Sequence, residues 1–597
     1  MKNMTSANKD IQVLSDFEHI LKRPTIYVGS VKLSEELIPI VKSDKISLVT
    51  NQISVGMYKL FDEVFSNSID EAKRMKKSME SITVEVDSKT NTIRITDTGE
   101  GFVNGSRINP KSGMSNIATA VSMLRAGSNF DNENISETLI GTNGMGVSLV
   151  NAMSSYFAVE TTNSSENYFQ EWKNFTAEQA KISKRGKKRL GTTVSFTPLK
   201  DIFDNCKWNK DILFSQLLLK KRVLETENNT KDIKIKFVWD SKEIPVDTSI
   251  LKQLSYKTKI GELLIWEKIE DSGSVSFVNS AMCTGIHQKI IMDQVNGVLE
   301  DSLAHHFYDF CLILNLPPSL VKFGDQNKTK FVTRREDVEQ IIVDSFASSL
   351  KKFFSTPLFK KIRTEVENRK KDASLKKIRK EKKSVKIQFS HKYFPPTSRI
   401  AENLFIVEGL SAMGSILQKR NPARDGVYAL KGKIKNARSL SDLADNKEIL
   451  ELMQILNLDP ERPDLKCPFE NVVIATDQDP DGSHITSLLI NLFYKWFPWI
   501  IENRMLNFLE TPLVSAGDRA KKYYYSLEEF KKDSQGKRLA NVRYLKGLGS
   551  LSLEDWDHVM KNKKIVKILK DKKSTAILEM AFGKSADARK HWLSKLS

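Results

Sequence analysis

Glu63, Asn67 and Asp70 lie in the segment LFDEVFSNSIDEA at i, i+4 and i+7, so a helix would set all three on one face. A carboxylate so placed can act as general base toward an attacking water. An amide oxygen one turn away can ligate Mg²⁺, a hard cation that prefers oxygen. The same spacing also describes a solvated acidic face. Further on, Asp97-Thr-Gly99-Glu-Gly101 follows an alternating segment. A carboxylate there can accept from an adenine amino group, and the glycines let backbone approach a ligand. Gly141-Thr-Asn143-Gly144-Met-Gly146 then runs into the apolar stretch VSLVNAMSS. A glycine-rich loop opening a helix presents free N–H groups to phosphates, although glycines often only make turns.

A second set of acids follows two continuous apolar runs. LFIV (404–407) ends at Glu408-Gly409, and VVIAT (472–476) ends at Asp477-Gln-Asp479-Pro-Asp481-Gly482-Ser-His484. Such runs fit strands buried on both faces of a parallel sheet, where ligands gather at the carboxyl ends. Both acid groups would then meet at one edge. Crowded carboxylates repel unless a cation neutralises them, and Mg²⁺ is the natural one. An EF-hand opening is a rival reading, but its twelfth position holds Leu488 instead of glutamate. A solvated acidic turn is another.

The elements that must position these groups are legible in part. ITVEVD (82–87) and NTIRITD (91–97) alternate in period two around a polar turn, as a hairpin does, and GTTVSFTP (191–198) reads as a further strand. Residues 210–350 alternate strand-like and helix-like segments. Residues 357–386 are a basic, helical connector, either a solvated face or a DNA contact, and HKYFPPTSR ends it. The net charge of +19, from 93 Lys and Arg against 74 Asp and Glu, favours a polyanionic partner, nucleic acid before membrane surface. Cys206, Cys283, Cys311 and Cys467 are too scattered for a C-x-x-C zinc site and suit a reducing cytoplasm. The N-terminus has no apolar core of a signal peptide. The apolar stretch 485–501 is short for a membrane span and contains Asn491, Lys495 and Pro498, so it reads as a buried helix.

In order and spacing, the three glycine and carboxylate motifs resemble the GHKL ATPases, the superfamily of gyrase, the mismatch-repair clamps, a chaperone branch and the histidine kinases. The resemblance implies ATP and Mg²⁺ as cofactors. It makes Glu63 the water-activating base, Asn67 the Mg²⁺ ligand and Asp97 the adenine contact, with Asp70, Gly99 and Gly101 in the same pocket. Gly141, Asn143, Gly144 and Gly146 would close over the phosphates, and Thr192 stands where the family has a threonine near the adenine. Residues 126–141 would form a lid. Gln326-Asn327-Lys328 resembles the Q-T-K loop by which a second domain reaches the γ-phosphate, with Asn327 in place of threonine. FVNSAMCTGIHQ (277–288) looks like the opening of that transducer domain.

The pairing of E-G with D-x-D-x-D-G-x-H resembles the TOPRIM domain of topoisomerases. By that likeness Glu408, Asp477 and Asp479 ligate the metal and Asp481 supports it. The family usually reads E-G-D-S-A, and here the third position is Leu410. ALKGKIKNA (429–437), TPLV (511–514), YLKGLGS (544–550) and AFGKSADARKHWL match type IIA topoisomerase segments, giving Lys431, Lys433, His484 and Lys546 as DNA-contact candidates. The implied fold is a multidomain α/β chain. Residues 1–205 would be a GHKL (Bergerat) α/β sandwich, and 206–356 a transducer of ribosomal-protein-like α/β type. Residues 357–397 would be the connector, and 398–597 a Rossmann-like TOPRIM sheet with a tail.

No winged-helix domain with a nucleophilic tyrosine fits in the remaining residues, and Tyr523 to Tyr525 read as structural. The resemblance therefore implies a separate cleavage subunit, double-stranded DNA as substrate, homodimerisation through the ATPase domain and no membrane partner. The compact length, YLKGLGSLSLEDW and SADARKHWL look most like the large subunit of T-even-type bacteriophage enzymes, which would work in the host cytoplasm. Relaxation or decatenation is expected. The rivals are a non-cutting ATP-switched clamp, a degenerate regulatory relative and the ATPase subunit of a bacterial gyrase proper.

Overall fold

The computed structural model describes residues 13–594, apart from 43, 76–77, 128–143, 228–229, 252–253, 326, 386, 388–390, 399–400, 519–520, 537–538, 546 and 584. The chain divides into two compact units, Met1–Val366 and Glu367–Ser597.

In the first unit, helix α1 (Val55–Met75) carries Met57, Leu60, Phe61, Val64, Phe65, Ile69 and Ala72, all buried. Their i, i+3, i+4, i+7 recurrence makes one apolar stripe, which leaves Glu63 half-buried and Asn67 exposed on the other side. Each such buried Leu or Phe is worth roughly 2 kcal/mol of transfer free energy. Strands β1 (Ser81–Asp87) and β2 (Thr92–Asp97) form the expected hairpin, with Ile82 opposite Asp97. Ile82, Val84 and Val86 all point inward, as period two requires. Helix α2 (Gly146–Ala152) precedes β3 (Ser154–Thr162), β4 (Glu166–Lys173) and β5 (Gly191–Pro198). Helix α3 (Lys210–Leu224) leads to β6 (Lys234–Trp239) and β7 (Lys242–Pro245). The order is β7-β6-β1-β2-β5-β3-β4, with short strands Thr176–Ala177 and Lys181–Lys184 also on β4.

The sheet corrects the division expected at residue 205. Strand β6 pairs in parallel with β1, Ile235 opposite Ile82, and β7 extends the same sheet, so the first layer runs through Pro245. A second sheet begins at Leu254–Thr258 and includes β8 (Gly261–Glu267), β9 (Val275–Val278) and β10 (Tyr308–Leu314). Helices α4 (Ile286–Leu299) and α5 (Arg335–Phe354) share its core, and β10 is buried along its whole length.

Helix α6 (Pro357–Ser384) covers most of the segment expected as a connector. Its first turns put Phe359, Ile362 and Val366 in the second-sheet core of the first unit, and Ile378 belongs to the core of the second unit. In that second unit β11 (Ala401–Glu408) leads directly into α7 (Gly409–Lys419), followed by β12 (Asp425–Leu430) and α8 (Lys447–Ile455). Then come β13 (Phe469–Ala475), α9 (Pro480–Trp496) and β14 (Leu506–Leu509). Strands β12, β11, β13 and β14 lie side by side and parallel, with antiparallel strands Tyr393–Phe394 and Ile565–Lys567 at the edges. Leu404 to Val407 and Val472 to Ala475 are fully buried, as continuous apolar runs require. The 485–501 stretch is the buried α9 and the short helix Pro498–Glu502. Among the described residues no helix is long and apolar enough to cross a membrane.

Candidate functional site

The first site sits where α1 meets the ends of β2 and β5. Asp97, the last residue of β2, is 7% exposed. One carboxylate oxygen accepts from the backbone N–H of Gly99 at 3.0 Å and of Thr192 at 3.2 Å; the other accepts from Ser68 Oγ at 3.1 Å. Burial pushes the Asp97 carboxyl up to about 6, and the charge of Glu71 adds to this against those bonds. Thr192 Oγ1 also lies 3.1 Å from Thr161 Oγ1. Gly101 has φ of +75°, and a Cβ there would overlap the carbonyl of Thr162, so only glycine permits this approach.

Five residues before Ser68 on α1, Glu63 holds a 3.0 Å ion pair with Lys59. Lys59 also reaches Asp62 at 3.0 Å, and Asp62 pairs with Lys220 of α3 at 2.8 Å. Burial opposes ionisation of Asp62, but the two ammonium groups outweigh it and hold its carboxyl well below the usual range. Gly146 opens α2 against Glu63: a Cβ at that position would overlap Glu63 Oε2. The glycine motif is thus partly a matter of leaving room for the carboxylate. Asp70 is buried at 2% exposure.

The loop after β10 comes back to this helix. Lys328, at φ +58°, is half-buried; burial pushes its ammonium down while the nearby Glu63 carboxylate acts against that. The side-chain amide of Asn327 spans Tyr27 O and Gly29 N, at 3.0 and 3.3 Å. Asparagine in place of threonine therefore docks the loop onto the N-terminal segment. Gln326, Gly141, Asn143 and most of the expected lid lie outside the described residues.

The second site lies at the carboxyl edge of the parallel sheet. Glu408 ends β11, and its Oε2 is buried with no hydrogen-bond donor. Burial raises its pKa, and Asp477, then Asp479, add repulsion. Asp477, two residues beyond β13, accepts from Leu548 N at 2.7 Å, and Gly547 presses so close that a Cβ would lie 2.8 Å from the Asp477 carboxyl carbon. This contact of the YLKGLGS segment is not readable from its sequence; Lys546 itself lies outside the described residues. Asp479 caps α9 by accepting from Gly482 N at 2.7 Å, which rules out an EF-hand loop in favour of a helix start.

Asp481 pairs instead with Lys433 at 2.8 Å, and both are exposed. That pair occupies a residue expected to support the metal and one expected to meet DNA. Lys431 and His484 are exposed. Leu410 is 53% exposed, so the departure at that position sends an apolar side chain outward and leaves the acids in place. Tyr523 donates to Asp555 at 3.0 Å and stacks on His558, while Tyr524 is buried and donates to Asp533 at 2.7 Å.

Among the described residues no three acidic, histidine or cysteine side chains converge to hold an ion by themselves. Asp481 is held by Lys433, whereas Asp477 and Asp479 each spend one oxygen on a backbone N–H, so the remaining capacity is Glu408 Oε2 and one oxygen each of Asp477 and Asp479. That suits Mg²⁺, which keeps several waters and takes one or two carboxylates plus a substrate phosphate.

Comparison with known proteins follows the same division. Residues 403–510 match the Toprim domain, and 509–597 match the C-terminal associated domain of TOPRIM. The chain is an α/β multidomain protein carrying a Toprim domain. It is similar to type II DNA topoisomerases along almost all its length. DNA topoisomerase 2 of Meyerozyma guilliermondii is 30% identical over 98% of this chain and 47% of its own. A DNA topoisomerase 4 subunit of Rickettsia conorii is 27% identical over 91% of this chain and 87% of its own. The chain thus spans about half the length of the first relative and most of the second. The ATPase region of Saccharomyces cerevisiae topoisomerase II superposes with a TM-score of 0.48 at 25% identity, over 60% of this chain and 98% of that one.

Proposed function

We propose that the chain is the ATP-hydrolysing, metal-binding subunit of a type IIA DNA topoisomerase. Glu63 draws the proton from the attacking water, held in place by Lys59. Asn67 holds the nucleotide's Mg²⁺, Asp97 accepts from adenine, and Lys328 with Gln326 meets the γ-phosphate, where negative charge builds up. Gly141 to Gly146 cover the phosphates. Two copies close on a DNA duplex when nucleotide binds. In the second unit Glu408 and Asp477, with Asp479 near, hold a Mg²⁺ that steadies charge on the scissile phosphate. Lys431, Lys433, Lys546 and His484 face the duplex, Lys433 after release from Asp481.

The nucleophilic tyrosine belongs to a separate subunit, the arrangement suggested by the likeness to one subunit of a topoisomerase 4. The enzyme relaxes or decatenates DNA in the cytoplasm, and the phage-type reading rests on the segments YLKGLGSLSLEDW and SADARKHWL.

The observation that carries this reading over a non-cutting clamp is Glu408 Oε2, buried without a donor beside Asp477. A clamp that never cuts has no use for a carboxylate oxygen left without a donor beside two repelling acids. The test is unlinking of catenated circular DNA by this chain and its cleavage subunit with Mg²⁺ and ATP. Unlinking that fails in both Glu63→Ala and Asp477→Ala supports the proposal. Unlinking that survives Asp477→Ala overturns it.

A further inference from the structure

The first unit carries a run of cations that neither site uses. KISKRGKKR (181–189) holds six Lys and Arg and no acid. Its strand, Lys181–Lys184, pairs with β4, Ile182 opposite Tyr168 and Lys184 opposite Glu166, and all four of its residues are exposed. Lysines on an edge strand often serve only to keep other strands from pairing there. That need ends with the strand, yet Arg185, Lys187, Lys188 and Arg189 carry the charge on through the turn before β5.

The turn is anchored. Asn167 of β4 is buried, and its amide donates to the carbonyls of Lys184 and Arg185 at 2.9 and 3.2 Å. Arg185 donates from its backbone N–H to Ser165 O and from Nε to Lys188 O, both at 3.2 Å. Gly186, at φ +60°, makes the bend. Two of the six cations are compensated: Lys188 pairs with Glu160 at 3.1 Å, and Arg189 pairs with Glu80. Glu166, opposite Lys184, instead gives both carboxylate oxygens to Ser106, one to its N–H at 3.3 Å and one to its Oγ at 2.7 Å. Lys181 lies over the Phe169 ring at 5.7 Å. Among the described residues, then, Lys181, Lys184, Arg185 and Lys187 have no carboxylate within ion-pair distance.

Four like charges on one anchored hairpin repel each other, and a polyanion relieves that repulsion. Because the turn is already held, little ordering is lost on binding. Lys181 to Lys184 spans roughly 10 Å at about 3.3 Å per residue. A DNA duplex carries one phosphate charge per about 1.7 Å of axis, about six over that length, so each uncompensated cation has a phosphate within reach.

We propose that the 181–189 hairpin is a sequence-independent contact for duplex DNA on the first unit, with Lys184, Arg185 and Lys187 against phosphates. The choice of duplex DNA among polyanions rests on the proposed function. The contact itself is separate from the duplex-facing residues named for the second unit.

The whole chain is titrated with a short fluorescent duplex, without nucleotide or cleavage subunit. Acetylation of surface lysines, read by mass spectrometry, should show Lys184 and Lys187 protected about threefold or more by the duplex. Lys184→Ala with Lys187→Ala, both exposed changes, should leave the melting curve in place. The pair should weaken binding about tenfold or more near 0.1 M salt and lower the slope of log affinity against log salt by about 1.8, since each phosphate contact contributes about 0.9. A duplex that binds while both lysines stay reactive and the slope is unchanged overturns the hairpin contact and leaves the proposed function standing. A wild-type chain that binds no duplex overturns both. Polyglutamate that protects the two lysines as well as the duplex does also overturns the contact, by making an acidic protein segment the partner.

Discussion

The two acidic sites are built on opposite principles. In the proposed nucleotide site the carboxylates have partners in place. Asp97 accepts three hydrogen bonds, Glu63 is paired to Lys59, and Asp62 lies between two ammonium groups. In the sheet-edge site Glu408 has a buried oxygen with no donor, and its neighbours Asp477 and Asp479 repel it. The first is preorganised by the protein itself. The second, on the proposed function, would be completed by a cation. A nucleotide that comes and goes each cycle is best met by a site that stands ready. A metal that stays can be part of what makes the fold comfortable.

That contrast can be broken experimentally. The largest effect should come from Glu63→Ala, which removes the general base; ATP turnover should fall by about 10²–10⁴-fold with nucleotide binding retained. Retained turnover would move the base elsewhere on α1. Gly146→Ala should come next. Its methyl overlaps Glu63 Oε2 and must displace the carboxylate, so steady-state hydrolysis should drop by about tenfold or more while the melting temperature changes little. If instead the fold is lost, the glycine serves backbone geometry and not the carboxylate.

Asp97→Asn should act on stability through pH. The native pKa of about 6 lies above the ordinary carboxylate value, so folded protein binds this proton more readily than unfolded. The stability tied to the protonated carboxyl is full below about pH 4 and is lost as pH rises through 6. The asparagine variant is indifferent to this. It should therefore gain on wild type from pH 4 upward, reaching about 3 kcal/mol above pH 6.5 in nucleotide-free urea unfolding. The same titration implies that wild-type ATP affinity weakens below pH 6, as the adenine acceptor takes up its proton. A pH-independent difference would contradict both.

The smallest effect concerns the other site. Glu408→Gln removes a buried, repelled charge, so in chelator the variant should be more stable than wild type by about 1 kcal/mol or less. Added Mg²⁺ should raise the melting temperature of wild type and not of the variant. Equal response of both would place the ion elsewhere.

Much of this is legible in the residues alone. Alternation in 82–97 marks the hairpin, and continuous apolar runs at 404–407 and 472–476 mark parallel strands with acids at their ends. The i, i+4, i+7 spacing defines the α1 face because helical geometry is local. What escapes is non-local. Lys234–Trp239 joins the first sheet by pairing with a strand some 150 residues away, a partnership that no local pattern encodes. Ser68 at Asp97, Lys59 and Lys220 around Asp62, and Leu548 at Asp477 are likewise tertiary partners. A lysine four residues before a glutamate is the one local hint of the Lys59–Glu63 pair. The ion pair of Lys433 with Asp481 is hidden for the same reason, although each residue stands out within its own motif.

The central claim is that one chain holds a self-sufficient hydrolytic site and a separate cation-completed cleavage site. The direct measurement is a paired assay of ATP turnover and of Mg²⁺-dependent DNA cleavage trapped by denaturant, with the cleavage subunit present. Glu63→Ala should lose turnover and keep cleavage; Glu408→Ala should keep turnover and lose cleavage. Loss of both activities in either variant, with the fold intact, would contradict the account.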